Sequence, residues 1–183
     1  MPNRLTVIAG PTAVGKGTVV RYIAEHYPNI HISVSATTRQ PRAGEINGEH
    51  YYFVSHEEFD RMIDAGEMLE YAIVHGANKY GTPRGPVQEA IAKGKQVILE
   101  IDIQGARQVK QAMPEAQLIF IAPPSWQELT RRLASRATES EAEQAKRLET
   151  ARLELDSQGE FDHVVVNDEV AVCAANVVVL LRS

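Results

Sequence analysis

Leu5-Thr6-Val7-Ile8-Ala9, followed by Gly10-Pro11-Thr12-Ala13-Val14-Gly15-Lys16-Gly17-Thr18, is the stretch that decides the architecture. The first five residues are almost wholly apolar and read as a buried strand, and Thr18–His26 reads as the helix that follows. Glycines between a strand and a helix let backbone N–H groups turn inward around an anion. The helix N-terminus adds partial positive charge. Lys16 can reach the outer phosphates of a nucleotide as a point charge. Gly10–Thr18 is therefore the expected phosphate-binding loop. One position departs from the Gly-x-x-x-x-Gly-Lys-Ser/Thr pattern: Gly17 stands where a hydroxyl would touch Mg²⁺, and Thr18 comes one place late. A magnesium ion at this loop is then expected to be held mainly by phosphates and water, as Mg²⁺ often is.

Outward from this unit, short apolar runs alternate with helical patterns, the mark of an α/β fold with a parallel sheet. Core strands are expected at Leu5–Ala9, Ile30–Val34, Val97–Ile101, Leu118–Ile121 and His163–Val166. Helices are expected at Pro86–Lys93 and Gln104–Met113. Ser55, Ser125 and Ser140 each stand three residues before a Glu and read as helix caps. Two segments interrupt the alternation. Residues 35–83 read as a small mixed lobe inserted into the core, and residues 132–158, charged and helical, as a lid. Residues 1–34, 84–131 and 159–183 then form the core of a single domain.

Val97-Ile98-Leu99-Glu100-Ile101-Asp102 is an apolar run ending in acids. Alternation along a strand puts Glu100 and Asp102 on one face, at the ligand-facing end of the sheet beside the phosphate loop. One acid can orient the water shell of Mg²⁺, and the other can face an acceptor nucleotide.

The balance of 19 Lys+Arg against 24 Asp+Glu gives a net charge of −5, which argues against a nucleic-acid polymer as partner. The lone Cys173 fits a reducing cytoplasm. The apolar run at Leu5–Ala9 is too short for the apolar region of a signal peptide. The stretch Val170–Leu181 is shorter than the roughly 18 residues needed to span a bilayer. No membrane association is expected; that stretch reads as a core helix, with Val177–Leu181 serving as core or interface. The histidines at 31, 50, 56 and 75 show no metal-ligand spacing.

With these motifs in hand, the chain resembles the guanylate kinase family. The resemblance rests on GPTAVGKGT, SVSATTRQPRAGEINGEHYYF at Ser33–Phe53, MLEYAIVHGANKYGTP at Met68–Pro83, ILEIDIQG at Ile98–Gly105, FIAPPS at Phe120–Ser125 and VVVND at Val164–Asp168, in family order. It implies a P-loop kinase core, a GMP-binding lobe and a lid, and transfer of the γ-phosphoryl of ATP to GMP, with Mg²⁺ accompanying ATP. It implies Arg39, Arg42, Tyr51 and Tyr80 on the phosphate of GMP, and Ser35, Glu70, Thr82 and Asp102 at the guanine edge. Lys16, Arg132, Arg136 and Arg147 are implied at the ATP phosphates and the transferred group, with Asn167 near adenine. Ala137, where the family usually has Gly, implies a stiffer lid hinge.

The residue types suit that chemistry. Guanine presents two neighbouring N–H donors, and ionised carboxylates only accept, so Glu70 and Asp102 match the donor edge. Hydroxyls of Ser35 or Thr82 can donate to O6. Guanidinium forks bind phosphate bidentately, which suits Arg39 and Arg42. Arg132 and Arg136 share a helix face, either for the transferred phosphoryl or for surface ion pairs with Glu128, Glu139 or Glu143. A non-catalytic module of the same fold would not need Lys16 and the loop glycines. A sugar-phosphate kinase would not need acceptors arranged for a purine.

Overall fold

The computed structural model describes residues 4–74, 77–134 and 141–182. Strand β1 (Leu5–Ala9) leads through the loop into helix α1 (Lys16–His26), and β2 (Ile30–Ile32) follows. The chain then builds a second sheet from β3 (Ala36–Thr37), β4 (Tyr52–Phe53), β5 (Met68–Val74) and β6 (Asn78–Pro83), with α2 (His56–Asp64) between β4 and β5. It returns through α3 (Arg84–Ala92), β7 (Gln96–Glu100), α4 (Ile103–Ala112) and β8 (Gln117–Ala122). Helices α5 (Trp126–Ala134) and α6 (Glu141–Asp156), a 3₁₀ turn at Ser157–Glu160, β9 (His163–Val166) and α7 (Val170–Leu181) complete it.

The main sheet has order β2-β7-β1-β8-β9 and every pairing is parallel. Strand β1 lies at its centre, buried on both faces. Leu5, Val7 and Ala9 point to the side covered by α3 and α4. Ile8 points to the side covered by α1, α5, α6 and α7. Thr6 is equally buried and donates its hydroxyl to Gln117 Oε1 at 3.1 Å. Burial on both faces is the reason these strands are apolar throughout instead of alternating. The chain leaves the C-terminal end of β1 between β7 and β8, the crevice where open parallel sheets take ligands.

The inserted lobe has a separate sheet, order β4-β3-β6-β5, with a β5–β6 antiparallel hairpin. Its own core is small: Ala36, Phe59 and Met68, flanked by Tyr52, Val54, Met62 and Ile63. Helix α2 is capped as expected, Ser55 Oγ accepting from the Glu58 N–H at 3.1 Å. Ser125 Oγ does the same for Glu128 at 3.1 Å. Ser140 lies outside the described residues.

Several boundaries move. Strand β2 stops at Ile32 instead of Val34, α1 begins at Lys16, and α3 begins at Arg84 behind an extended Pro83. The larger correction concerns Asp102. Strand β7 ends at Glu100, so strand alternation does not reach Asp102. Asp102 is the N-cap of α4, and its Oδ1 accepts from the Gly105 N–H at 2.6 Å. The first turn of a helix has unpaired N–H groups, and a short carboxylate just before it satisfies one. Helix α7 is the core helix expected, burying Cys173, Ala174, Val177, Val178 and Leu181. Among the described residues no helix is long and apolar enough to cross a membrane.

Candidate active site

The phosphate loop is shaped by close packing. A Cβ on Gly10 would lie 2.3 Å from the carbonyl oxygen of Ile121 in β8, so only glycine lets the chain turn away from the sheet there. Ala13 sits at φ 66, a left-handed conformation that costs a non-glycine residue roughly 1–2 kcal/mol. Gly15 follows at φ 94, and a Cβ on it would meet Asn167 Nδ2 at 2.7 Å. The alternation of right- and left-handed residues turns N–H groups toward one concavity at the start of α1.

Two side chains expected at the ATP site grip this loop from behind. Asn167, buried, donates Nδ2 to Val14 O at 2.8 Å, and its own N–H donates to Ala122 O at 2.8 Å. Its Oδ1 is buried with no partner. Arg132 donates to Val14 O at 3.1 Å and to Asn167 O at 3.3 Å, and pairs with Glu128 at 2.8 Å. The ion-pair alternative for Arg132 is thus realised together with a loop contact. Arg132 projects from α5, whose Leu129 and Leu133 belong to the main core. Arg147, on α6, lines a groove against α5 with Gln144 and Leu148. Arg136 and Ala137 lie outside the described residues. Lys16 Nζ donates to Gly10 O at 2.7 Å and Pro11 O at 3.3 Å.

Glu100 borders the loop at Gly17, the position that lacks the hydroxyl. A Cβ on Gly17 would lie 3.4 Å from Glu100 Oε1. Burial pushes the Glu100 carboxyl up, and Lys16 and Arg21 pull it back. One oxygen donor beside a phosphate loop fits a hard cation that draws its other ligands from phosphates and water. Among the described residues no cluster of three or more His, Cys, Asp or Glu is placed to hold a metal without them.

Across the cleft, the lobe presents its own polar set. Glu70 on β5 and Thr82 on β6 are cross-strand partners, both buried, and Thr82 Oγ1 donates to Glu70 Oε1 at 2.7 Å. Thr82 therefore holds the carboxyl instead of pointing its hydroxyl at a base. Burial raises Glu70 to about 7; the Thr82 hydroxyl lowers it and the charge of Asp102 raises it. Glu70 and Asp102 converge on Gly105, where a Cβ would lie 2.9 Å from Glu70 Oε2 and 3.2 Å from Asp102 Oδ1. Arg39 donates to both oxygens of Glu45, at 2.8 and 3.0 Å, and lies 5.4 Å over the ring of Tyr51. Tyr51 and Tyr80 meet edge to face at 6.0 Å. The Tyr51 hydroxyl is raised first by burial and then by Tyr80, and it also feels Glu100. Arg42 is exposed, with its N–H donated to Glu45 Oε2 at 2.7 Å. Ser35 is half-buried, and its carbonyl accepts from the Tyr52 N–H at 2.9 Å.

This geometry coincides with a known family. A family model described as guanylate kinase matches residues 2–183. The chain belongs to the guanylate kinase family. It is 61% identical over 179 residues to a guanylate kinase of Leifsonia xyli subsp. xyli, covering 98% of this chain and 70% of that one. It is 55% identical over 182 residues to one of Nocardia farcinica, covering 99% and 94%. The crystal structure of guanylate kinase from Anaplasma phagocytophilum is 37% identical, with a TM-score of 0.75 over 97% of this chain and 84% of that one. A shikimate kinase structure from Bacteroides thetaiotaomicron, 12% identical with a TM-score of 0.52, shares the fold alone.

Within this guanylate kinase fold, four residues emerge that the motifs did not single out. Glu45 organises Arg39 and Arg42, and Gly105 makes room for two carboxyls. Gln108 exchanges hydrogen bonds of 3.1 and 3.0 Å with the backbone of Tyr71, tying α4 to the lobe's β5. Glu154 on α6 accepts from the Thr12 N–H at 2.9 Å. Glu45 and Gly105 sit inside quoted motifs, so an ion-pair search around Arg39 and attention to a glycine after a cap would have found them. Gln108 and Glu154 act across 37 and 142 positions, and no local pattern announces them.

Proposed function

We propose that this chain transfers the γ-phosphoryl group of ATP to GMP, giving ADP and GDP, with the residues above in the following roles. The phosphate chain of ATP lies in the Gly10–Thr18 loop, with Lys16 on its outer phosphates and Asn167 at the adenine. The guanine edge meets Glu70 and Asp102, which accept from N1–H and the 2-amino group, while Ser35 donates to O6. Thr82 keeps the Glu70 carboxyl aimed. Arg39, Arg42, Tyr51 and Tyr80 hold the GMP phosphate. An oxygen of that phosphate attacks the γ-phosphorus, the bond to the β,γ-bridging oxygen breaks, and ADP leaves with that oxygen. Arg132, Arg136 and Arg147 offset the charge spread over the transferred group, because such transfers depend on positioning and electrostatics. Mg²⁺ would supply charge neutralisation when bound, and Glu100 is the side chain that would face its water shell.

The observation that carries this reading is a pair of acceptor carboxyls, the buried Glu70 and the exposed Asp102, that converge on Gly105 across one cleft from an N–H-lined loop. Adenine lacks the N1–H donor and would leave a buried carboxylate unmatched, a mismatch that gives strong discrimination. None of the assigned contacts uses the 2′-hydroxyl, so dGMP is expected to be turned over as well. A cytoplasmic place in purine nucleotide metabolism follows from this reading. Coupled ADP release across GMP, dGMP, AMP, CMP and UMP, with and without Mg²⁺, tests it. GMP should lead by orders of magnitude; equal or greater turnover of AMP would sink the guanine assignment.

A further inference from the structure

Helix α6 is anchored on the core by Ala151, fully buried, and by Leu148 and Leu155 packed beside it. Next to that anchor, Glu154 reaches the phosphate loop and accepts from the N–H of Thr12 at 2.9 Å. Thr12 directly precedes the left-handed Ala13, so this N–H stands at the lip of the anion-binding turn. Glu154 also interacts electrostatically with Lys16 and with Asp102, and it lines one cavity with Asp102, Ile103 and Gln104. A carboxylate engaged with a loop N–H, close to the loop's lysine, occupies the chemical position of a phosphate oxygen.

We propose that Glu154 is a built-in stand-in for phosphate, holding α6 on the loop until the phosphates of ATP displace it. The proposal rests on Gly10–Thr18 being the ATP site. Like charges at hydrogen-bonding range repel strongly where water is partly excluded. An ATP phosphate chain and the Glu154 carboxylate therefore compete for the same lip. Arg147 lies seven residues before Glu154, two turns along and on the same face of α6. Displacing Glu154 thus uncouples the loop from the helix that carries an arginine assigned to the transferred group. Glu154 is a positioning residue: it acts through the loop backbone, not on the reacting atoms.

The test is calorimetric binding of the β,γ-imido analogue of ATP, without GMP and at constant Mg²⁺, to wild type and to Glu154→Ala, Glu154→Gln and Glu149→Ala. Glu149 is an exposed acid on the same helix. Glu154→Ala should bind the analogue on the order of tenfold tighter, and its KM for ATP should fall while its KM for GMP holds. Glu154→Gln keeps an acceptor for Thr12 without the charge and should fall between, and Glu149→Ala should match wild type. Hydrogen exchange at the Thr12 amide should quicken in nucleotide-free Glu154→Ala and equal wild type once the analogue saturates both. Wild-type-like or weaker binding by both Glu154 variants overturns the stand-in alone. A wild-type protein that binds no analogue overturns the phosphate-loop reading along with it.

Discussion

At the phosphate loop the groups offered to an anion are backbone N–H groups joined by the single side chain of Lys16, whereas in the inserted lobe they all belong to side chains. The loop is rigid because its neighbours leave it no choice: Ile121 O blocks any side chain on Gly10, and Asn167 and Arg132 both hold Val14 O. The lobe is organised by carboxylates. Glu45 aims Arg39 and the Arg42 backbone, while Asp102 caps α4 and faces Glu70 across Gly105. The loop stands on a sheet buried on both faces, and the lobe on a core of three buried residues. A donor site common to many kinases can thus be a stiff backbone device. An acceptor site that must discriminate among bases needs individually placed side chains.

The sharpest way to break this contrast is Phe59→Ala, which empties the one large, fully buried position among the lobe's described residues. It should cost about 3–5 kcal/mol, concentrated in the lobe. Hydrogen exchange should show β3–β6 opening while β1 and α1 stay protected, with ATP-analogue binding retained. Uniform loss of protection would show that the two regions unfold as one.

Lys16→Ala addresses the loop directly. Loss of one positioned charge should lower kcat by about 10²–10³-fold with little change in Tm or in KM for GMP. A fully active variant would remove Lys16 from the chemistry.

Gly105→Ala puts a methyl group against both carboxyls proposed for the guanine edge. Overpacking of about 1–3 kcal/mol should appear as a raised KM for GMP with KM for ATP unchanged. An unchanged KM for GMP would place the base elsewhere.

Glu70 gives a pH signature. Its folded value of about 7 lies above its ordinary 4.5, so the folded state holds a proton that the unfolded chain releases. Its contribution is most favourable below pH 4.5 and is lost as pH rises through 7. Glu70→Gln should therefore gain stability relative to wild type between pH 5 and pH 8, on the order of 2 kcal/mol. GMP recognition by the wild type should weaken below pH 7, where the carboxyl ceases to be a pure acceptor. A difference in stability that stays flat with pH would contradict the raised value.

The smallest effect is expected from Glu45→Gln. Arg39 keeps its place over Tyr51 but loses its bidentate partner, raising KM for GMP by roughly fivefold at most. An unchanged KM would mean that the aromatic rings alone orient the guanidinium.

The two regions also differ in how far they can be read from sequence. Strand, glycine-rich turn and helix are neighbours along the chain, so β1, the loop and α1 were legible within two residues. The same holds for β8, whose apolar run reflects burial on both faces, and for the edge strand β9, where only Val165 is buried. In the lobe, β3 and β4 are two residues long and exist only because β6 and each other are beside them. Their residues were legible as a motif and not as strands. Asp102 was expected at the site on a strand, because strand alternation was extended past Glu100, but it belongs to the start of α4. The cap signal, a short acid directly before a helix, was present and points the other way.

By itself, then, the sequence determined the alternation of strands and helices in the core, the phosphate loop, the helix caps at Ser55 and Ser125, and the family. All of these depend on residue type and on spacing between near neighbours, where backbone preference and periodicity act. Only the tertiary structure decided that Thr82 holds Glu70, that Glu100 lies beside Gly17, and that Arg132 grips Val14. It alone placed Glu154 on Thr12. Those contacts join positions from 12 to 142 residues apart. They form where packing brings two surfaces together, and nothing in either local stretch names its partner.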